Sequence, residues 1–374
     1  MTPVQSRSIP FFDYPHVFTS REEELVAIFR DVGRRGAFIL QDDLERFERN
    51  LAAFLGAKHV LGVANATDGL LIALRAAEIG RDPRDEVIFS SHTMVATASA
   101  IHFAGAVPIP VECGPDHLID PSAVEAAITP RTRAILPTQL NGRTADMDAL
   151  MEIAQRHNLL LVEDAAQALG ARFQGRCAGT FGVASAISFF PAKLLGCLGD
   201  GGCVITDRDD VYDRMTELHD HGRRADGEIV SWGLNSRLDN LQAAILDFGL
   251  SSYAAPVARR RAIASIYQAR LGALEHVTLP PAPDSDPRHF DVFQNYEIEA
   301  QGRDLLRGYL RARGIGTLLP WGGKAVHQWP ALGFSQRLPS TDALFERLLL
   351  LPLNLSLTDD QIHEVCDAII DFYC

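Results

Sequence analysis

The sequence predicts an α/β fold in which a mostly parallel central sheet carries helices on both faces, followed by a smaller C-terminal α+β domain. From residue 60 to about residue 250, short apolar runs alternate with helical patterns, which is the order typical of a parallel sheet. The chain has 374 residues, which exceeds one ordinary domain of roughly 100–200 residues. A loop rich in Pro and Asp at 280–288 precedes one further strand pattern and several helical ones. We therefore expect a large domain at 1–250 and a small domain at 251–374.

The individual elements are predicted from periodicity and capping signals. The first helix is expected after Ser20, since Ser20 and Glu23 form a capping-box pattern ahead of an apolar stripe. Strands of the large domain are expected at 60–63, 86–89, 107–111, 134–137, 159–162, 184–190 and 202–206. Its later helices, with those leading out of it, are expected at 68–77, 95–103, 147–156, 238–250 and 257–271. The small domain is predicted to contain a strand at 292–298 and helices at 303–313, 342–350 and 358–372.

The composition is that of a globular protein with a large core, because 47% of the residues are hydrophobic and 22% are charged. The formal net charge is −13 and there is no basic run of five residues, so binding to nucleic acid or to an anionic membrane is not expected. Six scattered cysteines include no CxxC pair and no Cys/His cluster with zinc-like spacing, so no metal site is predicted. Neither a signal-peptide pattern nor an apolar run of roughly 20 residues is found. These features predict a cytoplasmic protein.

Asp164 ends the apolar segment 161–164, which places its carboxylate at the carboxyl edge of the predicted sheet. This edge is where α/β proteins bind ligands. An equally simple interpretation is that Asp164 is a loop carboxylate that caps the following helix.

Lys193 follows a buried-strand pattern and Pro191, and a Gly-rich turn at 199–202 comes soon after it. Burial lowers the pKa of a lysine and frees its amine as a nucleophile toward carbonyl groups. The alternative is a surface lysine at the end of a strand, which is what most lysines are.

Two polar segments precede predicted helices and are candidate anion sites. Ala66 and Thr67 lie between a strand and a helix, where backbone N–H groups and a hydroxyl suit a phosphate. The polar loop 233–239, which contains Asn235 and Arg237, also enters a helix. An ordinary helix N-cap explains each segment as well.

The order and spacing of these elements point together to one cofactor chemistry. A phosphate cradle is followed by Asp164 at a strand end, and Ser188 and Lys193 come about 25–30 residues later. Pyridoxal phosphate needs a carboxylate for its protonated ring nitrogen, a lysine for its aldehyde, and N–H and hydroxyl donors for its phosphate. A GxGxxG dinucleotide fingerprint and a GxxxxGK phosphate loop are absent, which argues against NAD and ATP.

Seven blocks spread over nearly the whole chain carry a family resemblance: VANATDGLLIALRA, DEVIFSSHTMVATASAIHFAGAVPIPVE, ITPRTRAILPTQLNGRTADMDAL, VEDAAQALGARFQG, SFFPAKLLGCLGDGG, GLNSRLDNLQAAIL and LLLPLNLSLTDDQI. In these blocks the chain resembles the sugar-nucleotide aminotransferases of the DegT/StrS type, which are fold-type-I pyridoxal-phosphate enzymes. The resemblance implies an aspartate-aminotransferase-like fold and a homodimer with shared active sites. It also implies transfer of an amino group, usually from glutamate, to a ketone on a nucleotide-linked deoxysugar.

The resemblance implies roles for the residues around the cofactor ring. Lys193 would form the Schiff base and later move the proton, and Asp164 would pair with the ring nitrogen. Gln167 would lie near the phenolic oxygen of the ring. Met94 stands where the family usually has an aromatic residue or His on the ring face. Because a thioether can still contact a π face, we expect altered ring packing with binding retained.

For the phosphate, the resemblance implies contacts from the backbone of Ala66 and Thr67 and from the hydroxyl of Ser188. Asn235 matches a family asparagine that reaches the phosphate across the dimer interface. Ala66 replaces the common Gly of this turn, which is a mild change if only its N–H is used.

Substrate contacts are expected from the segment 321–328, whose Trp-Gly-Gly start departs from the family pattern and leaves the identity of the sugar open. The candidate substrate residues are Arg237 and His327. A structural histidine explains His327 equally well.

Three other functions are weighed against this one. A dehydratase of the same family would carry His at the position of Lys193, which argues against that activity. An enzyme of the same fold acting on an amino acid or a non-nucleotide ketone should present an arginine for a carboxylate, and the sequence does not locate one. A non-catalytic regulator that binds pyridoxal phosphate would not need to keep Lys193, Asp164 and Ser188 together.

Overall fold

The computed structural model describes residues 8–374, and its strands form one large and two small sheets. The strands are β1 (His59–Val63), β2 (Glu86–Ser90), β3 (Val107–Val111), β4 (Thr132–Leu136), β5 (Leu160–Asp164), β6 (Arg172–Phe173), β7 (Arg176–Cys177), β8 (Ala184–Ser188), β9 (Gly202–Thr206), β10 (Val277–Thr278), β11 (His289–Phe290), β12 (Tyr296–Ala300) and β13 (Leu348–Leu351). The large sheet has the order β1-β9-β8-β5-β4-β2-β3, and only β9 runs antiparallel to its neighbours. The predicted α/β class with a mostly parallel sheet is confirmed.

Helices cover both faces of this sheet. They are α1 (Tyr14–Thr19), α2 (Glu22–Arg35), α3 (Asp42–Leu55), α4 (Ala66–Ala76), α5 (Val95–Ala104), α6 (Pro121–Ala127), α7 (Met147–His157), α8 (Asp209–His219), α9 (Asn240–Ser251), α10 (Ala254–Leu271), α11 (Arg303–Ala312), α12 (Pro339–Phe345) and α13 (Asp359–Tyr373). Successive residues of a strand point to opposite faces. Accordingly, Leu161 of β5 packs in the core beside α6 and α7, and Val162 packs in the core beside α4 and α5. Within residues 8–374, no helix combines the length and the apolar character needed to cross a membrane.

A separate core lies in the second part of the chain, where α10, α11 and α13 pack with the antiparallel sheet β10-β12-β13. Ile9 also belongs to this core and forms a bridge with Ile315. The start of the described chain therefore packs with the C-terminal elements, while the domain boundary at residue 250 stays a prediction.

The predicted capping box at Ser20 is wrong. Ser20 follows the short helix α1, which Asp13 caps by accepting a hydrogen bond from the backbone N of His16. Ser20 has φ −70° and ψ −14°, a helical conformation rather than the extended one that an N-cap needs. The longer helix α2 consequently begins at Glu22.

The helix predicted at 342–350 is also wrong in its second half. Helix α12 ends at Phe345, and the leucines of β13 pair in antiparallel register with β12. All four of these leucines are buried. A leucine run fits a helix or a buried strand equally well by its pattern, and the pairing with β12 decides between them.

Candidate active site

A cavity of about 340 Å³ lies at the carboxyl ends of β5 and β8. Seven of the eight predicted cofactor residues line it, namely Ala66, Thr67, Met94, Asp164, Gln167, Ser188 and Lys193. Residues separated by more than 120 positions thus share one cavity, at the sheet edge where α/β proteins bind ligands.

Asp164, the last residue of β5, is 4% exposed. Its Oδ2 accepts a hydrogen bond from Thr97 Oγ1 at 2.7 Å, and its Oδ1 accepts one from the backbone N of Ala166 at 3.1 Å. Burial raises the pKa of this carboxyl, while the two hydrogen bonds and the charge of Lys193 oppose the rise. A cationic ring nitrogen next to Asp164 would stabilise the charged carboxylate further, so the residue fits the ring of pyridoxal phosphate.

Three buried threonines extend the hydrogen bonding behind Asp164. Thr138 Oγ1 donates to Thr93 Oγ1 at 2.9 Å, and the hydroxyls of Thr93 and Thr97 lie 2.8 Å apart. Since Thr97 donates to Asp164, its oxygen accepts from Thr93, and every hydroxyl in the row points its hydrogen toward the carboxylate. No sequence pattern singled out these residues: Thr93 lies two positions before the first residue of α5, and Thr97 lies in the first turn of that helix.

Lys193 is half-buried in the loop between β8 and β9. Gln294 holds the residues before and after Lys193 in place. Its Oε1 accepts from the backbone N of Leu194 at 2.9 Å, and its Nε2 donates to the Ala192 carbonyl at 2.8 Å. Burial lowers the pKa of Lys193 to about 8, against the opposing charge of Asp164. A substantial fraction of the amine is therefore neutral near physiological pH and can attack an aldehyde.

The start of α4 provides donors for a phosphate. Its N-cap is Asn65, whose side chain accepts from the backbone N of Asp68 at 2.9 Å, so Thr67 is not the cap. The first N–H groups of the helix, those of Ala66 and Thr67, point out of its N-terminal end and suit an anion. A Cβ on Gly202 would lie 2.7 Å from the backbone N of Ala66, so glycine lets β9 approach this turn closely.

Three further residues predicted to bind the cofactor also line the cavity, namely Ser188, Gln167 and Met94. Ser188 Oγ accepts from the backbone N of Phe190 at 3.3 Å, which leaves its hydrogen to donate. Gln167 Oε1 accepts from the backbone N of Asn141 at 2.8 Å, which leaves the Nε2 of Gln167 to donate to another acceptor. Met94 precedes α5 and is 54% exposed, so its thioether lies at the opening of the cavity.

Three predicted site residues do not line the cavity of their own chain. Asn235 is exposed, and Arg237 donates to Asp220 at 3.1 Å. The His327 ring contacts Ser91 Oγ at 2.6 Å and Asp342 Oδ1 at 2.9 Å, and its side chain is 5% exposed. These contacts describe a structural histidine, and the substrate role of His327 stays untested.

Trp321 lines the cavity as well. Its φ is +53°, and Gly322 and Gly323 continue in the same left-handed region with φ values of +74° and +84°. A bulky residue in this region costs of order 1–3 kcal/mol and is found mainly at functional sites. Trp321, the first residue of the unusual Trp-Gly-Gly sequence, thus lines the cavity in a left-handed backbone conformation.

Two enzymes from other organisms are similar in sequence over almost the whole chain. An enzyme of Streptomyces venezuelae, dTDP-3-amino-3,4,6-trideoxy-alpha-D-glucose transaminase, is 41% identical over 96% of this chain and 95% of its own. The UDP-N-acetyl-3-dehydro-alpha-D-glucosamine 3-aminotransferase of Acidithiobacillus ferrooxidans is 35% identical over 98% of each chain.

The fold has a close match among crystal structures. The structure of S. venezuelae DesV in complex with a ketimine intermediate superposes with a TM-score of 0.93 at 40% identity and covers 98% of each chain. The DegT/DnrJ/EryC1/StrS aminotransferase family matches residues 19–370. With Lys193, Asp164 and the phosphate donors gathered in one cavity, the chain belongs to this family of pyridoxal-phosphate-dependent aminotransferases.

Proposed function

We propose that this enzyme transfers the amino group of an amino acid, with glutamate as the expected donor, to the C3 ketone of a nucleotide-linked deoxysugar. The observation that carries the proposal is the cavity in which Lys193, Asp164 and the start of α4 converge. The choice of acceptor is supported by the two curated relatives, whose names both place the amino group at C3 of a nucleotide sugar.

Each of the main residues of the cavity would have its own role in the reaction. Bound pyridoxal phosphate supplies an aldehyde and a ring that draws electrons from the reacting carbon. Lys193 Nζ would hold the aldehyde carbon of the cofactor, and its free amine would be the base that moves a proton at the substrate carbon. Asp164 would hold the proton on the ring nitrogen, and the row of threonine hydroxyls favours the charged form of Asp164.

We further propose a homodimer in which Asn235 contacts the phosphate in the site of the partner subunit. Asn235 is exposed and does not line its own cavity, and Trp232 in the same loop is 95% exposed. Large apolar side chains of the loop that carries Lys193 are also exposed, with Phe190 at 46% and Leu198 at 43%. A second copy of the chain would cover these side chains. The cytoplasmic location expected from the sequence stays a prediction.

The test is a panel of dTDP- and UDP-linked 3-keto sugars incubated with the purified enzyme, glutamate and pyridoxal phosphate. Mass spectrometry should detect the amino sugar nucleotide together with 2-oxoglutarate, and Lys193→Ala should form neither. Amination of free ketones or of amino-acid-derived ketones, with no product from any sugar nucleotide, would refute the proposed acceptor.

A further inference from the structure

The side-chain amide of Gln167, which lines the active-site cavity, can be oriented from its hydrogen bond. Its Oε1 accepts from the backbone N of Asn141 at 2.8 Å. A backbone N–H can only donate, so the atom of Gln167 next to it is the amide oxygen and not the NH2 group. The NH2 group is consequently left to donate to a molecule bound in the cavity.

Asn141 lies in the turn 140–142, which follows β4. Its φ is +54° and its ψ is +16°, a left-handed conformation that asparagine adopts more readily than most residues. A residue other than glycine stays in this region only where its surroundings hold it there. Since the backbone conformation of Asn141 sets the direction of its N–H, the contacts that hold this turn also orient Gln167.

The side chain of Asn141 is held at both of its amide atoms. Its Oδ1 accepts from Asn295 Nδ2 at 2.9 Å, and its Nδ2 donates to Glu297 Oε1 at 3.0 Å. Glu297 is itself held in place, because its side chain is 2% exposed and lies 2.9 Å from His117. These contacts join the turn to β12 and to the residue just before it.

The segment 294–297, which anchors Asn141, also holds the loop of Lys193. Gln294 is bonded to the backbone on both sides of Lys193. The turn of Asn141 packs directly on this segment, since a Cβ on Gly142 would lie 2.6 Å from the backbone N of Gln294. One short stretch of chain thus supports both Lys193 and, through Asn141, the amide of Gln167.

We propose that Asn141, anchored by Asn295 and Glu297, is a positioning residue that turns the NH2 group of Gln167 toward the phenolic oxygen of bound pyridoxal phosphate. The proposal rests on the pyridoxal-phosphate chemistry of the proposed function and not on the identity of the acceptor substrate. The phenolic oxygen gains negative charge when the Schiff base next to it loses its proton. A donor from Gln167 stabilises that form and lowers the pKa of the Schiff base.

The test is a pH titration of the visible absorption band of the cofactor-loaded enzyme, which changes when the Schiff base loses its proton. Asn141→Gly removes both anchoring hydrogen bonds and tolerates the left-handed backbone, so it releases the turn without added strain. Its titration midpoint should rise by roughly one pH unit, the effect of one hydrogen bond to a charged group. Gln167→Leu, which lacks the donor, should show a rise at least as large.

The matched control is Asn158→Gly. Asn158 follows α7 with φ +52°, also in the left-handed region, and it does not line the cavity. This variant should keep the wild-type midpoint.

Two variants of Glu297 separate positioning from a loss of stability. Glu297→Gln and Glu297→Leu both lose the ion pair with His117, but only Glu297→Gln keeps an acceptor for Asn141 Nδ2. The midpoint should rise in Glu297→Leu and stay near the wild-type value in Glu297→Gln. Equal midpoints in these two variants would overturn the anchoring of Asn141 and the proposal with it, even if Asn141→Gly does not fold.

The other outcomes locate the failure. A wild-type midpoint in Asn141→Gly combined with a raised one in Gln167→Leu would overturn the positioning role of Asn141. A wild-type midpoint in Gln167→Leu would overturn the contact with the phenolic oxygen and therefore the proposal. An enzyme that shows these shifts but aminates no sugar nucleotide would contradict only the proposed acceptor.

Discussion

Thr97 donates its hydroxyl hydrogen to Asp164 Oδ2 at 2.7 Å, while its own oxygen lies 2.8 Å from the hydroxyl of Thr93. The row of hydroxyls continues to Thr138. It places a hydrogen-bond donor next to Asp164, whose charged form is disfavoured by burial. Hydrogen bonds to the charged form lower the pKa of a carboxyl. We therefore propose that Thr97 acts on the cofactor through Asp164 as a positioning residue.

Thr97→Val should raise the pKa of Asp164 further, because the variant keeps the shape of the side chain but loses the donor. A hydrogen bond to a charged group contributes about 1.5–3 kcal/mol, so we expect pyridoxal phosphate to bind at least about tenfold more weakly. The acid limb of the pH–rate profile should move to higher pH. Thr97→Ser keeps the hydroxyl and should restore both properties. An unchanged acid limb in Thr97→Val would contradict the role.

Asp164→Asn should lower turnover by on the order of a hundredfold or more, which corresponds to several kcal/mol of barrier. The neutral amide cannot keep the ring nitrogen protonated, and the ring then draws fewer electrons. Single-turnover spectra with glutamate measure this step directly. Near-normal turnover in Asp164→Asn would falsify the pairing with the ring.

The sequence located Asp164 and Lys193 because Asp164 ends a strand and Lys193 follows another within a few residues, and such local order can be read directly from the sequence. Gln294 was not found, since it is 100 positions from Leu194 in the sequence and contacts it only in the folded protein. The predicted bounds of helices and strands in the large domain were close to the observed ones, because the hydrophobic patterns of strands and of amphipathic helices have different periods. The run of four leucines in β13 has neither the helical nor the strand periodicity, and only the pairing with β12 shows that it is a strand.

Lys193 gives a prediction about pH. Its pKa of about 8 means that the amine loses its proton as the pH rises through 8, well below the ordinary lysine range. Capture of pyridoxal phosphate by the cofactor-free enzyme should therefore accelerate from pH 6 to about 8 and then level off. Stopped-flow absorbance measures this rate. A rate that still climbs steeply between pH 9 and 10 would show that the lysine is not perturbed.

The same lysine can be identified chemically. Borohydride reduction followed by peptide mapping should place the cofactor adduct on Lys193 and not on Lys58 or Lys324, the only other lysines. Lys193→Ala should lose both the adduct and turnover, whereas Lys58→Ala should keep both. An adduct at either of the other lysines would overturn the assignment.

His117 and Glu297 form a buried ion pair at 2.9 Å. Burial would lower the pKa of His117, but its hydrogen bonds to Glu297 and Glu299 raise it to about 9 from 6.5. Burial would raise the pKa of Glu297, but His92 and His117 lower it to about 2 from 4.5. The contribution of His117 is complete below pH 6.5 and lost as the pH rises through 9. That of Glu297 is complete above pH 4.5 and lost as the pH falls through 2.

His117→Asn should therefore destabilise the protein most between pH 4.5 and 6.5, by about 1–3 kcal/mol. Urea unfolding at pH 6 and at pH 9.5 should show a much smaller difference from the wild type at the higher pH. His157→Asn changes a more exposed histidine, next to Glu125, and serves as the control with little effect at either pH. An equal loss for His117→Asn at both pH values would indicate a packing effect in place of the ion pair.

The shared active site is tested by mixing two inactive variants. If Asn235 holds the phosphate in the partner's site, Asn235→Ala removes a donor worth roughly 1.5–3 kcal/mol and should weaken cofactor binding. In a mixed dimer of Lys193→Ala and Asn235→Ala chains, one site combines an intact Lys193 with an intact Asn235 from the other chain. Co-refolded mixtures should therefore regain activity above the sum of the separate variants, which allows for residual turnover in Asn235→Ala. Light scattering of the wild type supplies the independent check, because a monomer that still turns over substrate would exclude any contribution of Asn235 across an interface.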